Sequence, residues 1–160
     1  MKLQLDDVCL HDKCKPFSSE DYTETEVEEI VDEMFRIAVE NNGIGLAANQ
    51  VGLDKRLFII NMPTRKEAFF NPRWEPADFH PGGVIMDTSQ FDSMTNSREG
   101  CLSLPGIEVT VPRQKVIKAS WQDIDGAEVM ETLYGIEAIV FQHELDHLNG
   151  VLITDYIKQM

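Results

Sequence analysis

Basic residues are scarce in this chain: 14 lysines and arginines stand against 28 aspartates and glutamates, for a formal charge of -14. A surface this acidic repels nucleic-acid phosphate, so direct nucleic-acid binding is not expected. Cysteine is sparse as well, with only Cys9, Cys14 and Cys101. An odd, scattered set of thiols builds no disulfide framework and fits a reducing compartment. Long apolar runs are missing. The opening Met1–Asp7 has no apolar core of signal-peptide length, and no stretch approaches a membrane span, so the expectation is a soluble, cytoplasmic protein without membrane contact. Internal repeats and low-complexity segments are lacking too. What is present is ordinary for a globular chain: 42% hydrophobic and 26% charged residues over 160 positions, enough for one domain spanning 1–160 and too few for two.

The first legible element begins at a helix-start signature. In Thr23-Glu24-Thr25-Glu26 the threonine hydroxyl and the Glu26 carboxylate can satisfy the free N–H groups of a first turn. Val27, Ile30, Val31, Met34, Ile37 and Ala38 follow at helical spacing and predict an amphipathic helix over about 24–41, with Gly43 as its left-handed cap. Residues 43–50, Gly-Ile-Gly-Leu-Ala-Ala-Asn-Gln, are too small and glycine-rich for a packed strand; they read as a loop whose backbone approaches something closely. Leu57 to Ile60 reads as a buried strand. Between 62 and 98, Pro63, Pro72, Pro76, Pro81 and Gly82-Gly83 break any long element, leaving short strands at Phe69-Phe70 and Val84–Met86. Ile107–Val111 alternates apolar and polar, as Lys115–Trp121 does less cleanly; Asp125-Gly126 is a turn and Glu128–Tyr134 the returning strand. A last helix runs from about Ile136 to Asn149 and stops at Gly150. The fold class is therefore α+β: mostly antiparallel strands packed around a C-terminal helix, with an N-terminal amphipathic helix.

That last helix contains Phe141-Gln142-His143-Glu144-Leu145-Asp146-His147, a His-Glu-x-x-His pattern. Residues four apart lie about 40° apart around the axis, so both imidazoles can reach one ion with Glu144 beside it as a general base. Ile136, Ile139 and Val140 lie on nearly the same side, which aims the histidines at an apolar interior. Two core histidines around a solvated glutamate are the alternative, but unpaired buried imidazoles cost hydrogen-bonding free energy. A catalytic metal needs a third protein ligand and an open position. In metalloproteases that continue His-x-x-Gly-x-x-His, Gly150 would take the glycine, but Ile153 stands at the final histidine, and beyond His147 only Asp155 offers a metal-binding side chain. The third ligand is then upstream. Cys101, between Gly100 and Pro105 at a turn or strand edge, is the candidate; its other reading is a small core residue.

Three segments also carry a resemblance. Gly43-Ile44-Gly45-Leu46-Ala47-Ala48-Asn49-Gln50, Glu99-Gly100-Cys101-Leu102-Ser103 and Gln142-His143-Glu144-Leu145-Asp146-His147-Leu148 match, in order and without substitution, the motifs of the peptide deformylases. Gly52 with Arg56, Asn71-Pro72, Arg113 and Gly150 extend the match over nearly the whole chain. The resemblance implies that Cys101, His143 and His147 hold one divalent metal ion. Iron(II) is favoured by the family, while zinc, nickel or cobalt suit the same donors. It implies that Glu144 is the base in removal of the formyl group from the formyl-methionine of a nascent peptide. The Gln50 amide and the backbone N–H of Leu102 would stabilise the oxygen that becomes charged. Gly45 would present its backbone to the peptide, and Ile44, Ile136, Ile139 and Val140 are candidates for the methionine slot. For Ile136, plain core packing is an equal alternative. Glu99 and Arg113 either pair to hold the cysteine segment or form an ordinary surface ion pair.

Two departures from the family stand out. The stretch from Asn71 to Glu99 is longer than usual, and is either a flap over the peptide groove or a passive insertion. The chain also stops soon after the metal helix, where many bacterial members carry a segment that in some contributes to ribosome docking. Short versions resemble those of phages, which places this chain in a bacterial or phage-infected cytoplasm with weak or absent ribosome docking. The rival readings are a small metallopeptidase and an inactive relative that binds peptide N-termini.

Overall fold

Leu57 to Met62 is apolar at nearly every position, and the reason is that both of its faces are covered. Side chains alternate across a strand, and here Leu57 and Ile59 join one core cluster while Phe58 and Ile60 join another. The structure, a computed structural model, describes residues 1–5, 8–77 and 93–159. In chain order its main elements are helix α1 (Glu24–Glu40), strands β1 (Gly45–Ala47), β2 (Leu57–Met62), β3 (Arg65–Pro76), β4 (Met94–Cys101), β5 (Leu104–Gln114), β6 (Val116–Gln122) and β7 (Glu128–Tyr134), and helix α2 (Gly135–Leu148). Short 3-10 turns fill in, among them Ala48–Val51 and Ile153–Gln159. Among the described residues no helix is long and apolar enough to cross a membrane.

Five strands form an antiparallel sheet in the order β1-β2-β3-β6-β7, and β4-β5 forms a separate two-stranded sheet. The α+β class expected from sequence is the one observed. On one face of the large sheet lies α1, whose Val27, Val31, Met34, Ile37 and Ala38 pack with Leu46, Leu57, Ile59 and Phe70. On the other face lies α2, where Ala138, Val140, Phe141, Leu145 and Leu148 meet Phe58, Phe69, Ile117, Trp121 and Leu133. Phe141 stands edge-on to Phe58 and Phe69 with ring centroids 5.0 and 5.4 Å away. Such pairs add about 0.5–1.5 kcal/mol each beyond their buried area. Phe141 immediately precedes Gln142 and His143, so this aromatic contact fixes where the metal-binding turns of α2 sit.

Local signals mostly act as read. Thr23 and Glu26 form the capping box: Glu26 N donates to Thr23 Oγ1 at 3.2 Å and Thr23 N to Glu26 Oε2 at 2.8 Å. The far end of α1 differs. The left-handed residue is Asn42 (φ 55°), not Gly43. Gly43 N bonds Ala38 O and Asn42 N bonds Val39 O, which closes the helix with Asn42 in the strained position. Gly43 is needed for a different reason: a Cβ there would stand 2.7 Å from Leu102 Cδ1.

Two further expectations are corrected. Residues 45–47 are not loop but the edge strand β1, paired to β2 from Gly45↔Ile60 to Ala47↔Phe58. Small side chains suit it because it is buried on all three positions. The proline-rich stretch also holds a twelve-residue strand, β3, running through Pro72. It tolerates the missing donor because the register with β6 shifts between Phe70 and Arg73. Asn71 sits at that shift with φ 49°, its side chain bonding both Phe17 N and Phe17 O and also Gln122. The expected Val84–Met86 strand, and most of the stretch considered as a flap, lie outside the described residues.

Candidate metal centre and active site

Two elements deliver three donor atoms to one point. Helix α2 brings His143 and His147; Cys101 ends β4, facing Leu104 across the turn Leu102-Ser103 that opens β5. Their ligand atoms all lie within 4.8 Å of one another, and Cys101 Sγ is 3.3 Å from His147 Nε2. Tetrahedral sulfur and nitrogen ligands of one ion stand roughly 3.5 Å apart, given metal–sulfur and metal–nitrogen bonds of about 2.3 and 2.0–2.1 Å. Donor chemistry agrees. One thiol and two imidazoles are borderline-soft ligands, and three of them leave a position open for catalysis. Cys101, His143 and His147 therefore make a divalent-metal site. Cys14 is buried in the core against α2, apart from this group.

The protonation of the bare site fits the same purpose. Burial lowers the proton affinity of His143, but the Cys101 sulfur and the Glu99 carboxylate outweigh it and push this histidine up to about 10. His147 is held well below the ordinary histidine range by burial and by the neighbouring His143 charge. A cation here takes the place of a proton, so metal binding is coupled to proton release.

Behind the ligands lies a buried polar chain. His143 Nδ1 is 2.8 Å from Glu99 Oε2, which leaves Nε2 for the metal. Arg113 grips Glu99 with two bonds, Nε to Oε1 and Nη2 to Oε2, both 2.8 Å. With Glu99 and Arg113 only 7% and 3% exposed, this is an interior bidentate pair and not the surface pair left open by the sequence. Burial alone would raise the Glu99 carboxyl, but the Arg113 and His143 bonds override it and hold it down at about 2. Arg113 also donates to Asp146 at 2.5 Å and to the Tyr156 hydroxyl at 3.3 Å, and Tyr156 donates to Asp146 at 2.8 Å. Cysteine hairpin, metal helix and C-terminal turn are thus tied through one guanidinium.

Glu144 abuts strand β1 at Gly45. It is 4% exposed, burial lifts its carboxyl to about 7 against the pull of His143, and Oε2 has no hydrogen-bond partner. Gly45 makes room for it: a Cβ there would lie 2.8 Å from Glu144 Cδ. Gln50, 2% exposed, accepts from Ala47 N through Oε1 at 2.9 Å, and its Nε2 reaches Ser103 Oγ at 3.1 Å and Cys101 Sγ at 3.5 Å. The amide is locked with its donor end beside the ligand sulfur.

A cavity of about 620 Å³ opens over these groups, lined by Ile44, Gly45, Leu102, Ile136, Ile139 and Val140 along with Cys101, His143 and Glu144. Its volume suits a small-ligand cleft. Ile44 and Ile136 are 50% and 55% exposed, so neither belongs to the core; Val140 is buried. Every metal, catalytic and substrate candidate from the sequence lines this cavity except Gln50 and His147, whose Nε2 atoms lie 3.5 and 3.3 Å from Cys101 Sγ. Sequence reading missed Asn49, Ser103, Asp146 and Tyr156. The first three lie inside the motif segments, which was itself a usable signal; for Tyr156 the sequence offered none.

A buried His-Glu-x-x-His helix with a cysteine third ligand, a glutamate whose Oε2 is buried without a hydrogen-bond partner, and an adjoining cleft define a metal-dependent hydrolase. Residues 3–160 match the family model described as polypeptide deformylase. A peptide deformylase of Thermotoga neapolitana is 37% identical over 152 residues, covering 95% of this chain and 83% of that protein. Among solved structures, the peptide deformylase of Thermotoga maritima superposes with a TM-score of 0.82 at 33% identity, covering 96% of this chain and 95% of the other. That of the Vibrio parahaemolyticus bacteriophage VP16T, in complex with actinonin, gives 0.79 at 32% identity, covering 96% and 100%. The chain belongs to the peptide deformylase family. Its activity is the hydrolytic removal of the N-formyl group from formyl-methionyl peptides.

Proposed function

We propose that Glu144 is the general base and acid of the reaction, and that Gln50 and Leu102 stabilise the developing oxyanion. The observation that carries the first assignment is the Glu144 carboxylate itself: buried, without a partner at Oε2, and lining the cleft together with the metal ligands Cys101 and His143. An acid–base group works best with a pKa near the working pH, and burial lifts this one to about 7. When bound, the metal supplies Lewis acidity and lowers the pKa of an attacking water. Glu144 takes a proton from that water as its oxygen bonds to the formyl carbon. The C–N bond then breaks, Glu144 returns the proton to the leaving amine, and formate and a free methionyl amine remain.

Charge collects on the formyl oxygen between those steps. The Gln50 Nε2 group and the Leu102 N–H beside Cys101 are the donors for it, and removing one such donor typically costs about 3 kcal/mol of barrier. Edge strand β1 offers its free side at Gly45 to an extended peptide backbone. The methionine side chain lies along Ile44, Ile136, Ile139 and Val140; exposure of the two outer isoleucines supports substrate contact over core packing.

Of the metals that suit one thiolate and two imidazoles, iron(II) is our choice, and such a site is open to oxidation at Cys101. The whole chain acts as one catalytic domain in a bacterial or phage-infected cytoplasm. Its charge of -14 opposes tight contact with ribosomal RNA. Co-sedimentation with ribosomes at physiological salt would overturn that last point. The main test is formate release from a formyl-Met tripeptide by protein loaded anaerobically with iron(II), or with nickel to avoid oxidation. Turnover lost in Glu144→Ala with metal retained establishes the base; no turnover in fully loaded, folded native protein overturns the assignment.

A further inference from the structure

The two histidine ligands are supported unequally. His143 has Glu99 at its Nδ1. His147 presents Nε2 to Cys101, yet its Nδ1 is buried and without a hydrogen-bond partner, in a side chain that is 1% exposed. A neutral imidazole that binds a metal through one nitrogen carries its proton on the other, so Nδ1 is a donor in need of an acceptor. An acceptor in the same condition is carried by the residue that holds the His147 main chain. Asn49, 5% exposed, donates from Nδ2 to the His147 carbonyl oxygen at 2.7 Å, while its own Oδ1 is buried and unpartnered. One residue pair thus holds a firm hydrogen bond, an orphan donor and an orphan acceptor. Leaving either buried group unmatched costs about 1–3 kcal/mol.

We propose that Asn49 is the positioning residue of His147: with metal bound, Asn49 Oδ1 accepts from His147 Nδ1–H and fixes the ring so that Nε2 faces the ion. Asn49 sits in the 3-10 turn Ala48–Val51, one residue before Gln50. The same turn therefore orients a metal ligand through one side chain and presents an amide beside Cys101 through the next. A carboxylate supports His143 and a neutral amide supports His147, so the site gains orientation at both ligands while only one support adds negative charge.

Two variants separate this from simple helix tethering. Asn49→Leu removes both bonds; Asn49→Asp keeps an acceptor for Nδ1 but loses the Nδ2 donor to the carbonyl. Affinity for cobalt(II) or zinc is read by chelator competition in folded protein, with the visible spectrum of the cobalt form reporting ligand geometry. Loss of such a supporting bond typically weakens metal affinity about 10–100-fold. The expected result is that loss in Asn49→Leu with an altered cobalt spectrum, and near-native affinity in Asn49→Asp. Native affinity in Asn49→Leu, or equal loss in both variants, overturns the proposal. Should Asn49→Leu not fold, the zinc-loaded native protein decides: its His147 Nδ1–H gives a slowly exchanging proton resonance with a cross-peak to the Asn49 side chain, and absence of that resonance overturns it.

Discussion

Gly45 and Glu144 lie so close that a single methyl group on the Gly45 α-carbon would meet the carboxylate, 2.8 Å from its Cδ. Strand β1 needs its first residue bare because the metal helix projects the glutamate against it.

Gly45→Ala is accordingly expected to fold, since the group it displaces is the movable end of a side chain and not backbone. Displacing Glu144 from the cleft should lower kcat/KM for a formyl-Met tripeptide by about 100-fold or more, as a misplaced catalytic group does, with metal content unchanged. Metal analysis beside steady-state kinetics checks both halves; native activity would show that the carboxylate has room to spare.

Cys101→Ser distinguishes this enzyme from a metallopeptidase with the same helix. If the thiolate is the third ligand, the variant should lose most of its bound metal after dialysis, since the donor 3.3 Å from His147 Nε2 has been exchanged for a poor one. Full retention of metal would place the third ligand elsewhere.

Acid stability follows from Glu99. Its folded carboxyl is held at about 2, below the ordinary 4.5, so the stabilisation it contributes is complete above about 4.5 and is lost as pH falls toward 2. In metal-free protein, the gap in Tm between native chain and Glu99→Gln should be widest near neutrality and narrow through that window. A gap constant from pH 6 to 2.5 would contradict the buried pairing with Arg113.

Gly150 ends α2 with φ 73°, and a Cβ there would stand 2.7 Å from the His11 carbonyl carbon. Gly150→Ala meets both a left-handed backbone and a main-chain clash, so thermal denaturation should show a loss of roughly 2–4 kcal/mol. A Tm unchanged within a degree would mean that the N-terminal segment moves aside freely.

Much of this was legible in local sequence because the chemistry is local. A capping box acts within four residues, His143 and His147 meet through one helical turn, and a glycine at the end of a periodic run stops a helix, as Gly150 does. Reading failed where a distant partner decided. Gly43 looked like a helix cap but is glycine because Leu102 lies over it; Gly45–Ala47 looked like loop but pairs with β2; Pro72 looked like a breaker but falls where β3 shifts register against β6.

The sequence by itself determined the donors: two histidines at fixed helical spacing with a glutamate between them, and a cysteine at a turn or strand edge. Tertiary structure alone decided how they are held. Arg113 reaches from β5 to Glu99 on β4 and Asp146 on α2, Asn49 meets the His147 carbonyl, and Gly45 faces Glu144, pairs separated by 14 to 99 residues in the chain. No spacing rule links such positions. They come together because the sheet's apolar faces must be covered by α1 and α2, and burial of those faces sets the distances between polar groups that take no part in driving it.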